Sequence, residues 1–582
     1  MRFIPSLMTL SRGACVLALA TLAACASHAP TRSDAVAPSS AQSLVQPVDS
    51  GHDLLAKLLA AQFALQNDDL ATAAAGFADA ADLSDDPALA EEATQLALAH
   101  KDWALARRAL ARWQVLAPQA PGIAQSKAWI ALGEGRTNDA IAELQALLAS
   151  GDDKAWRLIA QTLLNAPDKL GAAVVLARLA PADHVGTKES NAVAVSQLAF
   201  KLGDKSYARR LADAAVARFH GEDAFAWSGS LAAASDDLPR ARTIFAQAIA
   251  RFPASKRLRS GYAAVLGKAE DARGAALILA GGPQDQTTFA ARAAYAARAD
   301  DKALLGAIYR EVLADKGERD GTRLLLLGQL AELIEKRAAA IDWYRAISER
   351  DDNYFEAQQR LAIVLDQSDR LDEALKVLQR LATTVNGEPD QQREVWLLQA
   401  DLLGKRGRTA DALAVYTQAL AALPDDPRVR YARALFSIEQ GEVAAGERDL
   451  RAIVKQQPDN AEALNALGYT ISDHSKDDAS RQREAFELIK RALELKPEEP
   501  AIIDSMGWVR FRLGDLDAAL SELRRAYKKQ PDADIAAHLG EVLWAKGEHA
   551  EARRVWDEAR KKDARNNTRS KVLVETIERL TR

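Results

Sequence analysis

Residues 396–424 read WLLQADLLGKRGRTADALAVYTQALAALP, a stretch with two apolar runs around the polar segment GKRGRT. On both sides of that segment apolar residues recur every three or four positions, as on a helix with one buried face. Pro424 ends the stretch, because proline has no backbone N–H and disfavours a continuing helix. The sequence therefore predicts a helical hairpin at this place.

The hairpin is one unit of a repeat whose period is 34 residues. Pro424 and Pro458 are 34 residues apart, and so are Pro497 and Pro531. The 39 residues between Pro458 and Pro497 equal one period and a five-residue insertion, which we place in the polar turn at residues 472–483. A fixed period of this length is typical of stacked helical hairpins.

Small residues recur at one position on the first helix of each hairpin and at one position on the second. Such residues let two helices cross closely. On the first helix they are Gly328, Ala362, Ala400, Ala434, Gly468, Gly507 and Gly540. On the second helix they are Ala340, Ala374, Ala412, Gly446, Ala485, Ala519 and Ala552. Weaker units place the second-helix position at or near Ala73, Ala106, Ala140, Ala173, Ala208, Ala241, Ala275 and Leu304.

This pattern resembles the tetratricopeptide repeat (TPR), whose signature combines Trp or Leu, Leu-Gly, an aromatic residue and a series of Ala, Phe, Ala and Pro. Most of that signature is matched by Trp396, Ala400, Ala412, Tyr416 and Pro424. The resemblance implies an all-α, TPR-like α-solenoid superhelix of about fifteen helical hairpins. We assign residues 51–320 to degenerate TPR-like repeats, 321–564 to clear TPR repeats and 565–582 to a C-terminal capping helix.

Composition and motifs exclude several classes of function. The 582 residues carry a formal net charge of −5, whereas a nucleic-acid-binding protein usually shows a basic excess. The only cysteines are Cys15 and Cys25, so the body of the chain has no thiolate zinc site or cysteine nucleophile. The sequence also lacks HExxH, GxSxG and P-loop motifs. We therefore expect no enzyme activity, no metal site, no cofactor and no nucleic-acid partner.

The first residues look like a targeting signal. Arg2 and Arg12 accompany an apolar run from Ala14 to Ala24, which is too short to span a bilayer. The run ends in LAAC at residues 22–25, which resembles a bacterial lipobox, so residues 1–24 would be a lipoprotein signal peptide and Cys25 the lipidated residue. The alternative is an ordinary signal peptide with an incidental Cys25.

Residues 25–50 then form the lipidated cysteine and a disordered tether, because the segment is rich in Ala, Ser and Pro and has no helical apolar stripe. Ala26 follows the cysteine, in place of the Asp that usually retains lipoproteins in the inner membrane. The resemblance to lipoproteins therefore implies a lipid anchor in the periplasmic leaflet of the outer membrane.

A binding surface is expected on the first helices, which line the concave side of such an array. The candidate partner-binding residues are Tyr431, Asn465, Tyr469, Asp504, Trp508, Phe511, Glu541 and Trp544. We expect these helices to expose them, since aromatic anchors beside hydrogen-bonding groups suit the capture of a peptide or protein. Two alternatives stay open: that the aromatic residues pack against the next hairpin, and that the polar ones are merely solvated.

Three segments are more specific than the generic repeat: NALGYT at 465–470, DSMGWV at 504–509 and HLGEVLW at 538–544. Together with the lipobox and the length, they resemble the outer-membrane TPR lipoproteins of proteobacteria, in particular those that partner a periplasmic carboxyl-terminal processing protease. The resemblance implies an adaptor that brings this protease together with peptidoglycan hydrolases for degradation. The rival interpretation is an assembly lipoprotein for outer-membrane proteins, a pilus secretin or polysaccharide export.

Overall fold

The computed structural model describes residues 54–120, 122–149, 155–181, 188–475, 478–566 and 570–582. Within these ranges the regular elements are 31 α-helices, and the predicted all-α fold is confirmed. The same ranges contain no helix that is both long and apolar enough to cross a bilayer. The predicted signal peptide, Cys25 and the tether lie outside the described residues.

The chain divides into two compact units, with the division between Asp301 and Lys302. The N-terminal unit contains the helices α1 (Leu54–Gln66), α2 (Leu70–Asp82), α3 (Pro87–His100), α4 (Trp103–Leu116), α5 (Gly122–Gly133), α6 (Thr137–Ala149), α7 (Ala155–Asn165), α8 (Lys169–Leu179), α9 (Glu189–Lys201), α10 (Lys205–Phe219), α11 (Glu222–Ala234), α12 (Leu238–Arg251), α13 (Lys256–Lys268), α14 (Ala272–Ala280) and α15 (Gln286–Arg298).

The C-terminal unit contains the helices α16 (Lys302–Ala314), α17 (Gly321–Leu333), α18 (Arg337–Arg345), α19 (Tyr354–Gln367), α20 (Leu371–Thr384), α21 (Pro389–Lys405), α22 (Thr409–Ala422), α23 (Pro427–Glu439), α24 (Val443–Gln456), α25 (Ala461–His474), α26 (Ala479–Leu495), α27 (Pro500–Arg512), α28 (Leu516–Lys529), α29 (Ala533–Ala545), α30 (His549–Asn566) and α31 (Lys571–Thr581).

The small-residue positions of the repeat fall on alternating helices. The fifteen second-helix positions lie one on each even-numbered helix from α2 to α30, and the seven first-helix positions lie on the odd-numbered helices from α17 to α29. Odd-numbered helices are therefore first helices and even-numbered helices are second helices. In both units consecutive helices pack against each other as hairpins.

The turn inside a hairpin is set by a glycine and an aspartate. Gly514 has φ of +85°, a left-handed conformation that a residue with a side chain adopts only at a cost. Asp515 follows it, and its carboxylate accepts a hydrogen bond from the backbone N–H of Ala518 at 3.2 Å. An aspartate cap of this kind contributes about 1 kcal/mol to helix stability. Gly441 and Gly547 have similar backbone conformations in the hairpins α23–α24 and α29–α30.

The crossing of the two helices explains the small residues. A Cβ atom added at Gly468 would lie 2.6 Å from Cγ1 of Ile489, and one at Gly507 would lie 2.6 Å from Cγ of Leu523. A Cβ at Gly540 would lie closer still to the indole Nε1 of Trp556. Any side chain at these positions would push the two helices apart, as the sequence predicted.

The five-residue insertion lies mostly in helix, although its polar residues suggested a longer turn. Helix α26 has 17 residues, compared with 14 in the equivalent α28. Its Gln482 is buried and donates hydrogen bonds to the carbonyl oxygens of Ser472 at 2.8 Å and Ser475 at 2.9 Å. Because these bonds satisfy the carbonyls at the end of α25, the insertion lengthens α26.

Candidate partner-binding site

The candidate residues occupy three fixed offsets from the crossing residue of a first helix. Tyr431, Asn465 and Asp504 precede it by three positions, on α23, α25 and α27. One position after the crossing residue lie Tyr469, Trp508 and Glu541. Four positions after it lie Phe511 and Trp544. All of them therefore share one side of the first helices, as the repeat predicted.

These side chains are more buried than expected. Asn465, Tyr469, Asp504, Trp508 and Glu541 are each only 3–7% exposed. Tyr431, Phe511 and Trp544 are half-buried. The prediction that the first helices expose these residues is therefore wrong for the five buried side chains, because neighbouring first helices lie close enough for their side chains to fill the space between them. A role in binding a partner stays a prediction.

Three first helices meet around one imidazole, that of His538 on α29. Its Nδ1 lies 2.9 Å from Oδ2 of Asp504 on α27 and therefore donates to that carboxylate. Its Nε2 lies 3.3 Å from the hydroxyl of Tyr469 on α25. We call His538, Asp504 and Tyr469 the imidazole cluster. Asp504 and His538 are 34 residues apart, so this ion pair joins consecutive repeats.

Sequence reasoning did not single out His538 as a site residue. It lies two positions before the crossing Gly540, where α27 has the fully buried Ser505 and α25 has the buried Ala466. The available signal was a titratable residue at a position where the neighbouring repeats have small, buried residues. Because a buried charge needs a partner, the carboxylate one period earlier could have been assigned to it.

Trp508 packs within the array next to the imidazole cluster. Its ring is stacked on His538, with the ring centroids 4.3 Å apart. The Phe511 ring is tilted against it at 5.4 Å between centroids, and the guanidinium of Arg512 lies 4.4 Å from the ring centroid. The cation and the two rings enclose Trp508, so the packing alternative describes this residue.

Glu541 and Trp544 contact side chains of neighbouring helices. The Glu541 carboxylate accepts from Arg579 of the final helix α31 at 2.6 Å. Trp544 is stacked on His549 at 4.1 Å between centroids, and the Arg553 guanidinium lies 5.3 Å from its ring. These contacts hold α29 against α30 and α31, so the last repeat is closed by charged and aromatic groups.

Electrostatics favour a protonated imidazole in the cluster. Burial by itself disfavours the charged form of His538, but the adjacent Asp504 carboxylate, with Asp473 and Asp534 further away, outweighs burial and raises the pKa of His538. Burial, followed by the charge of Asp473, raises the pKa of Tyr469 well above its ordinary value. On α23, burial and then Glu462 raise the pKa of Tyr431 to about 12.

The raised pKa of His538 predicts a pH-dependent contribution to stability. Since the folded protein binds the proton more tightly than the unfolded chain, this contribution is complete below the unfolded value of about 6.5 and is lost as pH rises through the folded pKa. We expect the difference in urea midpoint between the wild type and His538→Gln to shrink from pH 6 to pH 9. When Asp504→Asn is added to both proteins, the difference in urea midpoint should change less with pH. A difference that grows from pH 6 to pH 9 would contradict the prediction.

Two buried polar atoms near the cluster have no hydrogen-bond partner among the described residues. They are Oδ1 of Asn465, an acceptor on α25, and Nε1 of Trp508, a donor on α27. A buried polar group without a partner costs about 1–3 kcal/mol. Both atoms are enclosed within the array, so this cost belongs to the packing of the first helices.

A metal site is not formed by the described residues, among which no group of three His, Cys, Asp or Glu side chains could hold an ion. The eight histidines of the chain include the structural His538 and the stacked His549. The expectation that the protein has no enzyme activity stays a prediction.

Comparison with known proteins defines the class of repeat. Family models described as tetratricopeptide repeat match residues 405–468 and 505–567, both in the C-terminal unit. The chain therefore contains tetratricopeptide repeats, and the second match includes the Trp508 and His538 positions. Many TPR arrays bind other proteins, which is consistent with a protein-binding scaffold.

Individual relatives cover parts of the chain. It is 39% identical over 215 residues to TPR repeat-containing protein PA4667 of Pseudomonas aeruginosa, a match that covers 37% of this chain and 35% of that relative. It is 30% identical over 143 residues to Bacteriophage adsorption protein A of Escherichia coli, covering 22% of this chain and 14% of the relative. Among solved structures, a tetratricopeptide repeat protein from Parabacteroides merdae is 15% identical with a TM-score of 0.35, covering 46% of this chain and 100% of that one. The match thus spans about a third of the length of the first relative.

Proposed function

We propose that the protein is a non-catalytic scaffold, anchored by lipid at Cys25 to the periplasmic leaflet of the outer membrane. It acts as an adaptor that brings a periplasmic carboxyl-terminal processing protease together with peptidoglycan hydrolases, which are then degraded. Holding both proteins on one array raises their effective concentration and converts their encounter into an event on a single scaffold.

The observation that carries this proposal is the match of residues 405–468 and 505–567 to tetratricopeptide repeats, because such arrays present extended surfaces to other proteins. The lipobox-like LAAC at residues 22–25 and the segments that resemble outer-membrane TPR lipoproteins support the anchor and the adaptor role.

Cys25→Ser tests the anchor. We expect the variant to move from the membrane fraction to the soluble periplasm with its fold intact. Several acyl chains hold a protein on a bilayer almost permanently, whereas the serine hydroxyl would carry no acyl chain. The measurement is fractionation of washed envelopes, with circular dichroism on the released protein. Cys15→Ser, inside the predicted signal peptide, is the matched control. Retention of Cys25→Ser after washing would refute the lipid anchor.

The adaptor role is tested by crosslinking in cells, followed by purification of the lipidated protein and mass spectrometry of its partners. We expect a carboxyl-terminal processing protease among them, and we expect peptidoglycan hydrolases to accumulate in a strain that lacks the protein. Asn465→Ala should reduce capture while leaving membrane attachment unchanged. Recovery of barrel-assembly, pilus or export machinery without that protease would reject the adaptor and favour the assembly lipoprotein.

A further inference from the structure

The second helix of the last hairpin, α30, has no apolar face for a further hairpin. Interior second helices have apolar side chains one and eight positions after their crossing residue, which are Phe486 and Leu493 on α26 and Leu520 and Tyr527 on α28. Leu493 and Tyr527 pack into an apolar cluster with residues of α27 and α29. On α30 the same positions have Arg553 and Arg560, which are both exposed. The helix α30 therefore presents by itself the polar outer face that ends a repeat array.

The final helix α31 lies instead on the side of α29 that has the candidate binding residues. Among the described residues, α31 packs chiefly against α29. Its Arg579 guanidinium donates to the Glu541 carboxylate at 2.6 Å, one position after the crossing residue of α29. The hydroxyl of Ser570 donates to Asp534 at 2.5 Å, six positions before that residue. Its contact with α30 is at its start, where the Ser570 N–H donates to Asp563 at 2.8 Å.

The attachment of α31 to this side is light. Two of its eleven residues, Leu573 and Thr576, are buried. Leu573 belongs to the same apolar cluster as Ala537, which lies three positions before the crossing residue of α29. The Arg579 side chain is 53% exposed, although its partner Glu541 is only 7% exposed. A segment with few buried contacts opens locally at low cost, so α31 can leave α29 without unfolding the array.

We propose that the side of α29 formed by Asp534, Ala537 and Glu541 is a docking site for an amphipathic helix of a partner protein, and that α31 is an internal ligand that competes for this site. We call these three residues the α31 seat. The proposal rests on the proposed function in one respect, that the array binds other proteins.

The helix that occupies the seat shows which chemistry the seat accepts. Leu573, Ile577 and Leu580 follow one another at spacings of four and three residues, so they share one face of α31. Helices that dock in grooves of other proteins use this spacing of apolar anchors. A basic residue six positions after the first anchor, as Arg579 is in α31, pairs with Glu541. We therefore expect the partner segment to be an apolar-faced helix with a cation at this position.

The probe for this site is a fluorescently labelled peptide of residues 570–582, added to the chain from residue 25 onward with Cys25→Ser. Leu573→Asp in the chain should release α31, because it places a carboxylate at a buried position. We expect the peptide to bind this variant with a dissociation constant at least 10-fold lower than that of the unreleased chain, whose own α31 competes at high effective concentration. Thr581→Asp, at an exposed position of the same helix, is the matched control and should change nothing.

Exchange of charges tests the contact at Glu541. In the released chain, Glu541→Lys should weaken binding of the peptide at least 10-fold, and a peptide with Arg579→Glu should restore it. Glu541→Gln keeps the shape of the side chain and should give a smaller loss. Equal binding to the released and unreleased chains would overturn the proposal. So would a released chain that does not bind the peptide while hydrogen exchange shows α29 still protected.

Partner recovery distinguishes this proposal from the adaptor role. In cellular crosslinking, Leu573→Asp should increase recovery of partners at least 3-fold, through partner segments with the apolar spacing and the cation of α31. Peptide binding with unchanged recovery would show that only α31 uses the seat, and the docking site would then be rejected. Increased recovery of such segments without a carboxyl-terminal processing protease would support the docking site and reject the adaptor role.

Discussion

Gly540→Ala is expected to destabilise the C-terminal unit by about 2 kcal/mol, although alanine is the better helix former by about 1 kcal/mol. The new Cβ would collide with the indole of Trp556, which is 2% exposed and has no room to retreat. A rigid buried ring cannot move aside as the end of a flexible side chain can, so α29 and α30 must separate.

Gly306→Ala on α16 is the matched control for that substitution. Apart from the backbone of its own helix, the one atom within 4 Å of the added Cβ is Nη1 of Arg310, four residues later in α16, at 3.7 Å. We expect this change to stabilise the unit by about 0.5–1 kcal/mol. Hydrogen exchange in increasing urea measures each variant locally, in peptides from α29 and α30 for Gly540→Ala and in peptides from α16 for Gly306→Ala. This matters because a chain with two units need not unfold in one step. Equal exchange in the two variants would show that the helix crossing tolerates a methyl group.

Trp508→Ala should cost about 3–5 kcal/mol, the range for truncating a buried aromatic residue. It removes the ring that is stacked on His538 and the surface on which Arg512 lies. Trp508→Phe keeps an aromatic ring and removes the indole N–H that has no partner among the described residues. We expect that variant to lose less than about 1.5 kcal/mol, since the smaller ring leaves a cavity but no unsatisfied donor.

Comparing the two variants separates folding from binding. Because Nε1 of Trp508 is buried, we expect Trp508→Phe to keep both partner capture and a urea midpoint near that of the wild type. Trp508→Ala should lose both, since it removes the packing of the first helices. Loss of capture by Trp508→Phe at an unchanged urea midpoint would show that the indole N–H takes part in binding and that the packing interpretation is wrong.

The period and the crossing residues were predictable from the sequence because each is a property of one repeat. Gly507 and Gly540 are small because the second helix of their own hairpin lies against them. The burial of Asn465 and Glu541 depends on how closely one repeat approaches the next, and on the final helix that donates Arg579 to Glu541. The sequence pattern of one hairpin gives no information on the distance between consecutive repeats.

The exposure of side chains on the first described helix was hidden for the same reason. Leu55, Leu59 and Phe63 follow the same helical spacing as residues that are buried elsewhere. Only the structure shows that these three side chains are exposed. The His538 site could be found only by comparing residues one period apart, because neither Asp504 nor His538 is distinctive alone.

The imidazole cluster also restricts how this array can change in evolution. Arrays of repeats can gain or lose whole hairpins, since each unit contacts mainly its neighbours. The bond between Tyr469 and His538 instead joins residues 69 positions apart, with the hairpin α27–α28 between them. Deleting that hairpin would remove Asp504 and leave the buried imidazole without its counter-ion, and duplicating it would move Tyr469 out of reach. We therefore expect homologous arrays to keep these three repeats together, as a block of fixed length.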